Sequence, residues 1–389
     1  MKSQEITHKS EIINPKSRPR VFVGLSGGVD SAVSAALLKK DGYDVTGVFI
    51  KAWTPPGYPC TWREDRRSAM RAAAVLDIPF ITLDLENEYK TVVVDYMIGE
   101  YRKGRTPNPD VMCNKEIKFG AFLDWARKQG ADFVATGHYA MKVDGRKQEV
   151  SPMSDMGLTP CRTWGLAEAK DKNKDQSYFL WTLAPEQLAQ TLFPIGHLQK
   201  DEVRKLAKKF GLPQAMRKDS QGLCFLGQVD MKEFLSRYIE EKPGNVLSAE
   251  SGEVIGTHNG AVFFTIGERH GFTITQKTPG DAALYVVAKD IEKNTITVAP
   301  KITQHLKCVE GAPLHIQLEE VNWIVDPKQV DLGNVSCRLR YRQEKIPCTV
   351  TVGEEGEVIV RLNENNYASP GQSLVFYDGE LCLGGGIMR

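Results

Sequence analysis

The chain has 389 residues, a formal net charge of +1, 25% charged and 41% hydrophobic residues, the profile of a soluble globular protein of two or three domains. The near-neutral balance excludes a global basic field, so any nucleic-acid contact must come from local patches. No apolar run approaches the roughly 18–20 residues that a membrane span needs.

Residues 1–20 carry five Lys/Arg and two Glu with no apolar stretch. They read as a weakly basic arm rather than a secretory signal. From residue 20 to about 137 the pattern alternates strand and helix. Arg20–Leu25 reads as a buried strand, and Ala32–Lys40 as a helix closed by Gly42. Between them stands Ser26-Gly27-Gly28-Val29-Asp30-Ser31. A strand that passes through a Gly/Ser turn into a helix start is an anion site, because the first helical N–H groups lack internal partners and the dipole end is positive. The loop lacks the Lys-Ser/Thr ending of a Walker A motif and the spacing of a dinucleotide fingerprint. It resembles the loop of the ATP pyrophosphatases.

Further strands are predicted at 44–50, 79–83 and 132–136, with helices at 64–77, near 88–102 and at 115–129. Repeated βα units imply a doubly wound parallel sheet with ligands at the carboxyl ends of its strands. The loop after the first strand, Ile50, and Gly137-His138 all fall at that edge. Two prolines and a glycine in Gly104–Asp110 forbid regular helix there. That loop presents Asn108, Asp110 and Cys113 ahead of a helix start, with Lys115 and Lys118 close in sequence. A helix dipole and nearby cations favour a thiolate; a buried, inert thiol is the alternative.

Residues 142–175 lose periodicity and read as an exposed insertion. Helices follow at about 185–191 and 200–210. Cys224 then lies in a turn-like segment after Arg217 and Lys218. Beyond about 230, short strands and Gly/Asp/Asn turns point to a small section at 230–290 and an all-β barrel or sandwich at 291–389. In the latter, Arg338, Arg340 and Arg342 are predicted to share one strand face. Such a row, with Tyr341 beside it, suits phosphate contact and base stacking. The eight cysteines form no Cys-x-x-Cys pair, so zinc or iron–sulfur spacing is missing and reduced thiols are expected.

Taken together these stretches resemble one family, the tRNA-specific 2-thiouridylases (the MnmA family). The motifs are Gly-Leu-Ser-Gly-Gly-Val-Asp-Ser at 24–31, the 104–119 stretch through Asn108-Pro109-Asp110 and Cys113, Ala-Thr-Gly-His-Tyr at 135–139, Lys-Asp-Gln-Ser-Tyr-Phe-Leu at 174–180, Asp-Ser-Gln-Gly-Leu-Cys-Phe-Leu-Gly at 219–227, Arg-Tyr-Arg-Gln at 340–343, Ser-Pro-Gly-Gln-Ser at 369–373 and Cys-Leu-Gly-Gly-Gly at 382–386. The resemblance implies a flexible arm (1–19), a pyrophosphatase domain (20–228) with a doubly wound α/β sheet of the adenine nucleotide alpha hydrolase kind, a small central domain (229–291) and a C-terminal β-barrel that contacts tRNA (292–389).

The implied reaction adenylates C2 of the wobble uridine with ATP and Mg²⁺, then transfers sulfur from a cysteine persulfide. By resemblance Cys224 carries the persulfide, delivered by a sulfur-relay protein. Cys113 releases the sulfur or closes a transient disulfide with Cys224, and Asp110 is the general acid/base. Gly24, Leu25, Ser26, Gly27, Gly28, Val29, Asp30 and Ser31 hold the nucleotide phosphates, and Ile50 and Gly137 meet its adenosine. Asn108, Pro109 and Asp110 pocket the flipped-out base. His138, Lys174, Asp175, Gln176, Arg340, Tyr341 and Gln372 contact tRNA. A cytoplasmic, monomeric enzyme is implied. Departures from the family pattern are the leading arm, Ile50, Gln221 and the long 144–170 stretch with Cys161. Two other readings are a ligase of the same superfamily acting on a small molecule, which leaves Cys113 and Cys224 idle, and a tRNA-binding protein without chemistry.

Overall fold

The computed structural model describes residues 18–58, 62–144, 164–218, 224, 230–275, 282–300, 314–362, 366 and 368–389. The arm through residue 17, Cys161 with the middle of the insertion, and Gln221 lie outside the described residues.

The first unit is built on β1 (Arg20–Gly24), β2 (Asp44–Lys51), β3 (Phe80–Asp84), β4 (Phe133–Ala135) and β7 (Thr191–Leu192). They form one sheet in the order β3-β2-β1-β4-β7, with every pairing parallel. Val21, Phe22 and Val23 are all buried, as a central parallel strand covered on both faces requires. Helix α1 (Val29–Lys40) covers one face through Ala32, Val33, Ala35, Ala36 and Leu38. The order reverses between β1 and β4, so the crevice at their carboxyl ends is the ligand position of this fold.

Helix α2 (Trp62–Val75) buries only its alanine stripe, Ala69, Ala72 and Ala73. The predicted 88–102 helix is three pieces, α3 (Glu86–Tyr89), a π-helical stretch Lys90–Asp95 and α4 (Tyr96–Arg102). The 115–129 helix starts earlier, as α5 (Pro109–Met112), with π-helical Cys113–Ala121 and α6 (Phe122–Lys128) after it. Widened turns of this kind shift the facing of every later side chain and recur at functional sites.

Strands β5 (Ala140–Asp144) and β6 (Trp164–Glu168) correct the expectation of an exposed insertion over 142–175. All five residues of β6 are buried, and the hairpin is hydrogen-bonded to the C-terminal sheet through Leu381 and Cys382. Polar composition misled here because Lys142, Glu168, Asp171 and Asp175 are themselves buried. After α7 (Pro185–Ala189) and α8 (Lys200–Lys209) the chain reaches α9 (Met231–Ser236).

The central sheet follows, made of β8 (Gly244–Ser248), β9 (Val254–His258), β10 (Phe272–Ile274), β11 (Tyr285–Asp290) and β12 (Thr295–Ala299), in the order β10-β9-β8-β12-β11. Strand β12 lies inside this sheet between β8 and β11. A boundary at 291 would cut that hairpin, so the central unit runs through Ala299. The last unit contains β13 (Leu314–Trp323), β14 (Val335–Arg338), β15 (Ile346–Val352), β16 (Val358–Leu362), β17 (Ser373–Asp378) and β18 (Leu381–Met388). Pairing of β13 with β18 closes these six strands into a barrel. The fold is therefore α/β followed by all-β, as expected.

Lys142 shows what burial of a lysine does to pH dependence. Its Nζ donates to the carbonyls of Ala189 (2.9 Å) and Thr191 (3.3 Å) and sits 4.1 Å from the Trp164 ring centroid. Burial pushes its pKa down to about 7 from 10.5. The unfolded chain therefore binds more protons than the fold between those values, so this group makes the fold more stable as pH rises through that window. The expected slope approaches about 1.4 kcal/mol per pH unit. Urea unfolding at pH 7, 8 and 9 should show this rise in the wild type and its loss in Lys142→Met; equal slopes in the two proteins refute it.

Candidate functional site

The Gly-rich loop runs from β1 into α1 with Gly28 as N-cap, and no side chain caps the helix start. Its shape is fixed from within. The Ser26 N–H donates to Ser31 Oγ (3.2 Å), and the Gly28 N–H donates to Ser26 Oγ (3.3 Å). Gly27 adopts φ +81° against the Asp65 carbonyl, leaving no room for a Cβ. Ser68 Oγ and Arg217 Nη1 both donate to the Gly27 carbonyl, at 2.9 and 2.8 Å. Arg217 also pairs with Asp65. Gly137 follows β4, and a Cβ there would lie 2.6 Å from the Ser31 nitrogen, so the two predicted ligand edges are in contact. Leu25, Val29 and Ile50 are buried beneath this crevice.

Asp30 is not idle. Lys200 Nζ lies 2.8 Å from each of its carboxylate oxygens, and the Tyr139 hydroxyl donates to it at 2.9 Å. Lys200 was missed in the sequence. It is the first residue of α8, where a cation opposes the helix dipole, and that misplacement was the available signal.

The second half of the site is formed by thiols. Cys113 and Cys224, 111 positions apart, are in side-chain hydrogen-bonding contact. Cys113 is fully buried and Cys224 is partly exposed. Three groups grip Cys224. Its N–H donates to Asp110 Oδ1 (2.9 Å), its carbonyl accepts from the Tyr89 hydroxyl (2.6 Å), and Lys118 Nζ lies 3.6 Å from its sulfur. Burial alone would raise the Cys113 thiol, but the hydrogen bond from Cys224 and the Lys118 ammonium lower it overall. Donating that bond, together with burial, pushes Cys224 well up. The pair is thus polarised, with Cys113 the more acidic of the two thiols.

His138 joins the thiols. It is buried, and burial together with the Lys118 charge pushes its pKa well below 6.5. Its Nε2 lies 3.4 Å from Lys118 Nζ and its Nδ1 2.8 Å from Thr136 Oγ1. An ammonium only donates, so Nε2 accepts and Nδ1 carries the proton.

The remaining residues expected to meet tRNA divide. Asn108 caps α5, accepting from the Val111 N–H (3.3 Å), with Pro109 following it. Asn108 also bonds the Tyr178 hydroxyl, which feels the Arg340 charge. The Tyr341 ring lies 4.5 Å from that of Phe179. Asn108, Arg340 and Tyr341 therefore converge on Tyr178-Phe179. Lys174 is half-buried, and Gln176 Oε1 accepts from the Tyr139 N–H (3.0 Å). Asp175 is 2% exposed and accepts from Ala169 N, Ser177 Oγ and Arg338 Nη1. Gln372 Nε2 donates to the carbonyls of Thr106 (2.9 Å) and Pro107 (3.2 Å).

The three-arginine strand face is corrected. Strand β14 ends at Arg338, and Arg342 takes φ +62° in the turn after it. Arg338 points inward to Glu168 (2.8 Å) and Asp175 (3.0 Å). Among the described residues no cluster of three or more His, Cys, Asp or Glu is placed to hold a metal ion, and no helix is long and apolar enough to cross a membrane.

Residues 19–228 match the family model described as the tRNA methyl transferase HUP domain, 232–300 the tRNA methyl transferase PRC-barrel domain, and 314–388 the aminomethyltransferase β-barrel domain. Among solved structures, U34-tRNA thiolase NcsA of Methanococcus maripaludis aligns at 17% identity and a TM-score of 0.33, covering 57% of this chain and 65% of that one. The chain is 44% identical over 379 residues to tRNA-specific 2-thiouridylase MnmA of Enterococcus faecalis, covering 96% of both proteins. The namesake of Halalkalibacterium halodurans is 43% identical, with 94% of both covered. With near end-to-end matches at this identity, the chain belongs to the MnmA family of tRNA-specific 2-thiouridylases.

Proposed function

We propose that this protein replaces the 2-oxygen of the wobble uridine (position 34) of tRNA with sulfur, consuming ATP and releasing AMP and pyrophosphate. The observation that carries this reading is the Cys113–Cys224 contact on Asp110 and Lys118. Methyl transfer, the activity in the family-model descriptions, gives no task to a pyrophosphate-holding loop.

The uracil C2 oxygen attacks the α-phosphorus of ATP, the α–β phosphoanhydride bond breaks, and pyrophosphate leaves onto the 26–31 loop at the N-terminus of α1. Gly24, Leu25 and Ile50 line the approach, and Gly137 admits the adenosine. Magnesium, when bound, neutralises phosphate charge; it would arrive on the triphosphate, with Asp30 the carboxylate of the loop. Asn108, Pro109 and Asp110 receive the extruded base. Asp110 manages its proton, releasing the Cys224 N–H as it does so.

The terminal sulfur of a Cys224 persulfide, loaded by a relay protein at the partly exposed Cys224, then attacks C2, and AMP leaves with the former C2 oxygen. The Cys113 thiolate attacks Cys224 Sγ. The Cys113–Cys224 bond forms, the bond from Cys224 to the transferred sulfur breaks, and its electron pair stays on the uridine as the thiocarbonyl. An external thiol reductant reopens the disulfide. Arg340, Tyr341 and Lys174 face the tRNA. His138, Asp175, Gln176 and Gln372 serve tRNA binding by holding the segments that do. The enzyme works as a cytoplasmic monomer.

The test is nucleoside analysis of unmodified tRNA incubated with the protein, ATP, Mg²⁺, a persulfide donor (polysulfide) and a thiol reductant. A 2-thiouridine peak that requires ATP is the expected result. Absence of that peak, with pyrophosphate released on a small molecule in place of tRNA, overturns the reading in favour of a ligase.

A further inference from the structure

One charged group of the sulfur centre has no role in the steps above. Lys115 and Lys118 both follow Cys113 closely in the chain, yet they diverge. Lys115 turns outward to Glu116 and Glu320, each at 3.5 Å. Lys118 turns inward and reaches Asn114 Oδ1 (2.9 Å), His138 Nε2 (3.4 Å) and Cys224 Sγ (3.6 Å).

Those neighbours are themselves held. Asn114 lies one helical turn before Lys118, and its Nδ2 donates to the Phe179 carbonyl (3.0 Å). The His138 ring sits between Phe119 and Phe193, at centroid distances of 5.8 and 6.3 Å. An ammonium with two fixed acceptors has little freedom, and its third contact is the sulfur. The titratable groups that face it are Cys113, Cys224, Asp110 and His138, with Tyr89 beside the thiols. Burial alone would lower the lysine, but the two thiols and Asp110 hold it above its usual value. Neutral His138 adds no competing charge.

We propose that Lys118 is a catalytic residue of sulfur transfer, its ammonium held by Asn114 and His138 against Cys224 Sγ to stabilise the anionic sulfur that passes there. This rests on the reading of Cys224 as sulfur carrier. In the resolving step the negative charge begins on Cys113, crosses Cys224 Sγ as one S–S bond forms and the other breaks, and leaves with the transferred sulfur. A cation fixed at the central sulfur serves the whole path, whereas one at either end would serve half of it. His138 is then a positioning residue, acting through Lys118.

The experiment titrates thiolate absorbance near 240 nm from pH 5 to 10 in the wild type, Lys118→Met and Lys118→Arg. The Cys113→Ser/Cys224→Ser double variant is subtracted as background. In Lys118→Met the inflection of the pair should rise by at least about one pH unit, and sulfur transfer to tRNA should fall by about 100-fold or more. Lys118→Arg should restore the inflection to near that of the wild type, which a packing defect would not do. An unshifted inflection in a folded Lys118→Met protein overturns the role of Lys118, whatever its activity. Failure of the wild type to thiolate tRNA overturns the functional reading instead, and the titration separates the two.

Discussion

Cys224→Ala should eliminate 2-thiouridine formation, with a loss of at least about 1000-fold, because no other residue can take over a covalent sulfur carrier. The cost does not come through the fold. Cys224 is partly exposed, and the groups that grip it, Asp110 and Tyr89, bind its backbone N–H and carbonyl, which alanine keeps. Binding of tRNA should therefore stay within a few-fold of wild type, and pyrophosphate release with tRNA should continue. Cys113→Ser should also block turnover, but with a different signature. Persulfide should still load on Cys224, and with ATP and tRNA a disulfide-linked Cys224–uridine adduct should accumulate, because the serine hydroxyl cannot cleave it. Nucleoside analysis and persulfide labelling distinguish the two variants. Full thiolation by Cys224→Ala would remove the covalent mechanism altogether.

Arg338→Met should destabilise the junction between the β5/β6 hairpin and the barrel by about 3 kcal/mol. Arg338 joins two buried carboxylates, Glu168 and Asp175, each 2% exposed. Glu168 keeps Lys172 (3.2 Å) and Lys345 (3.1 Å). Asp175 keeps only hydrogen bonds, from the Ala169 N–H and from the N–H and hydroxyl of Ser177. The penalty is therefore that of one carboxylate left without its cation, not of the whole cluster. Asp175 already titrates above the ordinary carboxylate range because burial disfavours its charge, so losing Arg338 should raise it further. Chemical denaturation followed through barrel tryptophan fluorescence measures the loss. Arg338→Met/Asp175→Asn should recover part of it, as a double-mutant cycle reports for paired groups. A single variant within about 0.5 kcal/mol of wild type would mean that the network is solvated.

The legibility of the sequence followed the locality of each feature. The 24–31 loop was readable because strand, turn and helix are contiguous and each carries its own signal. The parallel sheet was readable because burial on both faces forces continuous apolar strands. The Cys113–Cys224 contact was not readable from spacing, and only the family resemblance joined residues 111 positions apart. Lys200 was hidden because its partner Asp30 lies on another element, so α8 looked like an ordinary amphipathic helix. The arginine strand failed for a local reason. Alternation continues through Arg342, but that residue takes a left-handed conformation usually marked by Gly or Asn, and no such residue announced the turn. The insertion failed for the opposite reason: polarity normally marks the surface, and here four charged residues are buried against partners elsewhere in the chain.

The grip of Gln372 on Thr106 and Pro107 has a consequence for how the protein is divided. The stretch that leads to Asn108, Asp110 and Cys113 is tied from several sides. The Thr106 N–H donates to the Pro370 carbonyl (2.8 Å), and Arg105 pairs with Glu319, both partners belonging to the barrel. The Thr106 hydroxyl bonds that of Thr265 (3.0 Å) in the central unit. The 105–113 segment is thus a keystone shared by three units and cannot be assigned to one of them. A fragment ending at 228 would retain every residue proposed for catalysis and lose the fasteners that tie the 105–108 stretch to the other two units. If a ligand at the barrel edge, 370–372, changes affinity at Asn108, thermodynamic reciprocity requires that occupancy at Asn108 change the barrel's hold on that ligand by the same ratio.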